Sequence, residues 1–237
     1  LAIVPYVMPG FDLAKLCYQI YNKDKKVEGL LLLNHGIFTF AATAEDSYNR
    51  MIKYVTLAEN YIKKCKSKSK KIYSINKKNN NFDIGKLQNQ LRKIYFNTTK
   101  TKWIIKHNGN KDDILLSNLK NLKKMFDKGP VTPDHVIRIK SKPLIIESII
   151  NKKDNFIENS IMKYVSEYKK YFLKYKNTIK NAKIADPLPR IIIVPNLGYF
   201  SIGLTQKEEQ ISNDIFLSMK ESIIDSNYIS TFKSINQ

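Results

Sequence analysis

Arginine, cysteine, histidine and glycine are all scarce in this chain, and each scarcity narrows what it does. Four arginines (Arg50, Arg92, Arg138 and Arg190) stand against 37 lysines. The formal charge of +20 invites a nucleic-acid reading. Reading of bases and phosphates, however, favours the planar arginine fork over the lysine point charge. A lysine-, asparagine- and isoleucine-rich, arginine-poor composition is the mark of an AT-rich coding sequence instead. Two cysteines, Cys17 and Cys65, give no disulfide framework and fit a reducing, cytoplasmic setting. The apolar runs Leu30 to Leu33 and Ile191 to Pro195 are strand-length, far below the roughly 20 residues of a membrane span. There is no Gly-rich phosphate loop, no serine nucleophile elbow, and no HxH, HExxH or CxxC spacing.

What is present is a core-forming composition, 43% hydrophobic over 237 residues. The chain opens on Leu1-Ala2-Ile3-Val4-Pro5 and closes on Ser234-Ile235-Asn236-Gln237, and both ends read as cuts through a longer protein. Leu13, Leu16, Cys17, Ile20 and Tyr21 share one helical face, which predicts a helix over Asp12 to Asn22 after the Pro9-Gly10 breaker. Val27 to Leu33 and Ile37 to Ala42 are expected strands joined by a turn at Asn34-His35-Gly36. Thr43-Ala44-Glu45-Asp46 is a capping box opening a helix to about Lys64. Residues 65–81, rich in Lys, Ser and Asn, read as a linker.

Beyond it, Ile84, Leu87, Leu91 and Ile94 mark a helix, Trp103 to Ile105 a short strand, and Ile114, Leu115, Leu119 and Leu122 another helix. His107, beside Asn108-Gly109, reads as a solvent-facing turn residue. The loop from Gly129 to His135 is expected to lead into a strand over Val136 to Ile139, with His135 in a hydrogen-bonding role. A long helix carries Ile157, Ile161, Tyr164, Val165, Tyr168, Phe172 and Tyr175 on one stripe. Its alternating Lys and Tyr resemble a base-stacking surface, but a core stripe with solvated lysines accounts for them better.

The plan around His35 then recurs. Ile191 to Val194 is an apolar strand, Asn196-Leu197-Gly198 a turn, Phe200 to Ile202 a strand, and Thr205-Gln206-Lys207-Glu208 a capping box. Gly36 to Thr43 is seven positions, as is Gly198 to Thr205. A shift of 162 also superposes Asn34 on Asn196, Phe38 on Phe200, Thr39 on Ser201 and Asp46 on Glu208. Two related αβ units are expected, with His35 replaced by Leu197 in the second.

Leu31-Leu32-Leu33-Asn34-His35-Gly36, preceded by the run from Val4 to Lys15, resembles the C-terminal half of the class II aldolase/adducin domain. Gly129 to Arg138 and Asp186-Pro187-Leu188-Pro189-Arg190 resemble the bifunctional rhamnulose-1-phosphate aldolase/short-chain dehydrogenase proteins. The resemblance implies an α/β fold (α+β mixed sheet with covering helices) in two units. Residues 1–64 would be the C-terminal part of an aldolase/adducin domain and 82–237 a degenerate aldolase-like unit. It further implies zinc, retro-aldol cleavage of a ketose 1-phosphate to dihydroxyacetone phosphate and an aldehyde, and a homo-oligomeric parent.

In that family the histidine before glycine is the last of three zinc ligands. His35 is then a metal ligand, with Asn34 and Gly36 supporting its turn, and the HxH pair and catalytic glutamate would lie before Leu1. The family's dehydrogenase domain would lie beyond Gln237. By itself the chain is expected to be inactive, since a catalytic zinc site takes three protein ligands. His135 precedes Leu197 by 62 positions, close to the family's spacing, so Asp134 and His135 are candidates for a vestigial site. The competing reading is a non-catalytic, adducin-like interaction module.

Overall fold

The computed structural model describes residues 1–68, 83–146, 155–178 and 181–234, which fall into two compact units. One comprises 1–70 with 225–237, the other 71–224. Most of the stretch expected to be a linker, from residue 69 to 81, lies outside the described residues.

In the first unit, β1 (Ala2–Val4) lies parallel to β2 (Gly29–Leu32), which pairs antiparallel with β3 (Gly36–Thr39). Helix α1 (Phe11–Lys23) bridges β1 and β2. Its Leu13, with Leu16, Cys17 and Ile20, packs on Val4, Leu30 and Leu32, the buried alternate positions of the sheet. Helix α2 (Ala44–Lys68) starts at the expected cap, the Thr43 hydroxyl accepting from the Asp46 amide at 3.1 Å. It runs four residues past the expected end, so that Cys65 sits in helix and not in linker.

The second unit holds the larger core. Its sheet has the order β4 (Ile104–Asn108), β7 (Gly198–Gly203), β6 (Ile191–Val194), β5 (Leu144–Ile145). Only β5 pairs parallel, with β6. Helices α3 (Ile84–Thr99) and α7 (Phe156–Tyr175) supply Leu87, Leu91, Tyr95, Ile157, Ile161 and Val165 to one cluster with Ile192, Val194, Phe200 and Ile202. The stripe read on α7 is therefore core at its N-terminal half. Helix α8 (Gln206–Ile229) buries Phe216, Met219 and Ile223, with Phe216 edge-on to Tyr199 at 4.7 Å between ring centroids.

Three expectations are corrected here. Val136 to Ile139 is not a strand but part of α6 (Pro133–Ile139). Proline takes the N1 position, where its missing N–H costs nothing, and the β-branched residues that imitate a strand close one short helix. The single helix expected over Ile114 to Leu122 is two, α4 (Lys111–Ser117) and α5 (Leu122–Phe126). His107 is not in a turn; it lies in β4 opposite Phe200. Asn108-Gly109 does break the strand, but only after His107 has paired.

Candidate functional site

The two strand–turn–strand–helix segments repeat one another in backbone geometry. At the shift of 162, β2 falls on β6, the start of β3 on the start of β7, and the start of α2 on the start of α8. The registers agree: Leu32 opposes Gly36 as Val194 opposes Gly198. In each turn an asparagine takes the left-handed conformation, Asn34 at φ 57° and Asn196 at φ 64°. The amide after it donates back across the turn, His35 to Leu32 and Leu197 to Val194, both at 3.1 Å. A second correspondence escaped the sequence. Thr39 and Ser47 exchange side-chain-to-carbonyl hydrogen bonds between β3 and α2, at 2.8 and 2.9 Å. At the same offset, the Ser201 hydroxyl donates to the Glu209 carboxylate between β7 and α8.

The surroundings of the two turns differ. Asn34, His35 and Gly36 are exposed, and a Cβ added to Gly36 (φ 154°) would meet no atom within 4 Å. The imidazole of His35 therefore stands at the surface beside open space, where an ion has access to it. Leu197 is buried instead, and the His107 Nε2–H donates to its carbonyl at 2.7 Å while the ring tilts against Phe200. Gly198 is pressed on the carbonyl of Asn108, and the Asn118 side chain accepts from the Asn196 amide at 3.0 Å. The second turn is a packed junction.

His135 is buried on α6, its Nδ1 2.6 Å from the Thr132 hydroxyl. Asp134 is in the same helix, its side chain outside the described set. Among the described residues no three His, Cys, Asp or Glu side chains come together as a metal-holding group. His35 thus fits a zinc site as one donor of three, and the described residues do not bring two more to it.

Residues 1–62 match the Class II Aldolase and Adducin N-terminal domain, and residues 83–237 match Aldolase class II, second domain. The chain belongs to the class II aldolase family. Over 223 residues the chain is 23% identical to the uncharacterized oxidoreductase YuxG of Bacillus subtilis. That alignment takes in 90% of the present chain and 32% of YuxG, so the chain spans about a third of that relative's length. No solved structure matches it.

Sequence reasoning missed two features of the second unit. Asp113 and Lys220, both buried, pair at 3.1 Å. Lys140, Arg190 and Asp186 form a basic cluster among aromatic rings. The first joins residues too far apart in sequence for any local pattern to show, and the second brings Lys140 to Asp186 and Arg190 from a different segment. No helix among the described residues is long and apolar enough to cross a membrane.

Proposed function

We propose that this chain is part of a zinc-dependent class II aldolase that cleaves a ketose 1-phosphate, of the rhamnulose 1-phosphate type, to dihydroxyacetone phosphate and an aldehyde. The observation that carries the reading is His35, an exposed imidazole on a tight turn between two strands, inside a segment that matches the family. Zinc, when bound, supplies Lewis-acid polarisation of substrate oxygens. The part played by this chain is narrower: β2 and β3 fix the bend, Asn34 and Gly36 give it a backbone that brings the imidazole forward, and His35 offers one ring nitrogen. The remaining donors would come from outside these residues, in a cytoplasmic, homo-oligomeric parent. The 237 residues by themselves are inactive in this reading, because one imidazole does not hold a catalytic metal tightly.

Release of dihydroxyacetone phosphate from rhamnulose 1-phosphate tests it. The longer protein should turn over, and His35→Ala should remove both its activity and its bound zinc while leaving its circular dichroism unchanged. Retention of stoichiometric zinc by that variant would remove His35 from the metal. Turnover by the 237-residue chain would refute its inactivity.

A second reading is a non-catalytic module of the adducin type; it is compatible with the described residues, among which no group of three metal-ligating side chains forms. Absence of zinc from the longer wild-type protein would select it.

A further inference from the structure

Lys140 is a buried charge of the second unit. It caps α6 at a positive φ of 70° and is 4% exposed. Its ammonium sits over the ring of Tyr168 at 4.7 Å, and no carboxylate among the described residues lies within ion-pairing distance of it. A buried ammonium without a counter-charge is costly, and a ring face offsets only part of that cost. Its electrostatic neighbours are Arg190 and Asp186. They do not neutralise it, because Asp186 is already paired with Arg190 at 2.7 Å. The three groups carry two positive charges and one negative. Arg190 is held in place from beneath, its guanidinium stacked 4.5 Å over the Trp103 ring. The hydroxyls of Tyr95 and Tyr164, which also line this region, are spent on the carbonyls of Pro189 and Lys142. Burial holds the Lys140 pKa down to about 8, so the amine is still protonated in most molecules at neutral pH.

We propose that Lys140 and Arg190 form a binding site for one oxyanion group, a phosphate or a carboxylate, of a small ligand held by the second unit. The ligand's charge would balance the cluster. Lys140 would bind it as a point charge and Arg190, oriented by Asp186 and Trp103, as a planar donor. Neither residue belongs to the His35 turn, so the site stands whether or not His35 binds metal.

Trp103 is the single tryptophan of the chain and lies directly under Arg190, so its fluorescence reports on this cluster. Titrating the full 237-residue chain with inorganic phosphate, against chloride at matched ionic strength, should give a saturable change that chloride does not give. Acetate and glycerol 3-phosphate, as further arms, separate a carboxylate site from a phosphate-monoester site by which saturates first. Lys140→Met should weaken the tightest of these by about tenfold to a hundredfold, the worth of one charge-assisted contact. Lys140→Arg should stay within a few-fold of wild type. No saturable response to any of the three anions in the wild-type protein would overturn the site, and so would a Lys140→Met protein, folded by circular dichroism, that titrates like wild type. If Lys140→Met does not fold, the wild-type titration and Lys140→Arg decide.

Discussion

The imidazole of His107 donates to the carbonyl of Leu197 at 2.7 Å, and Leu197 occupies in the second unit the position that His35 occupies in the first. The same bend is thus put to two uses. One copy leaves it open at the surface with an imidazole on it. The other fills the position with an aliphatic side chain and locks the carbonyl with a histidine from the neighbouring strand. Replacing His107 by Phe keeps a ring against Phe200 and removes the donor, leaving a carbonyl at a buried residue without its partner. We expect a loss of about 1–3 kcal/mol in urea-induced unfolding of the second unit, followed by Trp103 fluorescence.

Asp113 and Lys220 join α4 to α8 through a pair in which both side chains are almost withdrawn from water. Breaking such a pair from one side strands the other charge. Lys220→Met should cost about 3–5 kcal/mol. The double variant Asp113→Leu/Lys220→Met should recover most of that loss, because no charge is then left buried alone. A double-mutant cycle by chemical denaturation measures both; equal losses for the single and double variants would show that packing and not charge is at stake.

How much of this was legible follows from the range of each interaction. Thr43 caps Asp46 and Thr205 caps Glu208 within three residues, so both helix starts were visible in the chain. The strands before His35 and Leu197 were visible because Leu30 to Leu33 and Ile191 to Val194 are continuous apolar runs, and the strands after them because the turns are short. The helix over Pro133 to Ile139 was not, because Val136, Ile137 and Ile139 carry strand propensity and seven residues are too few for a helical period to show against it. The exposure of His35, on which its use as a ligand depends, is decided by what packs around the turn. Its counterpart at Leu197 shows that the local sequence leaves this open.

Stability should depend on pH through Lys140. Its pKa lies below the ordinary value of 10.5 in the folded chain, at about 8, chiefly from burial and then from Arg190, with Asp186 acting the other way. Between those two values the unfolded chain binds more protons than the folded one, so unfolding free energy rises with pH across that window. Burial pushes the phenols of Tyr95, Tyr164 and Tyr199 up, and these act in the opposite sense above their ordinary value of 10. A maximum near pH 10 is the expected result in urea titrations. In Lys140→Met the rise from pH 8 to 10 should flatten; an unchanged slope would take Lys140 out of the account.

The two turn glycines should differ in what alanine costs. Gly36 has φ 154° and open space where a Cβ would go, so its replacement carries a backbone penalty alone, about 1–3 kcal/mol. Gly198 has φ 95°, and a Cβ there would stand 2.2 Å from the carbonyl oxygen of Asn108, which belongs to the strand paired with β7. That clash is with backbone and cannot be relieved by turning a side chain. Gly198→Ala should therefore lose clearly more stability than Gly36→Ala in denaturant unfolding. It should also loosen the pairing of Asn108 with Tyr199, seen as faster hydrogen exchange of the β4 and β7 amides near the turn. Equal losses for the two variants would mean that β4 does not press on the second turn as closely as 2.2 Å requires.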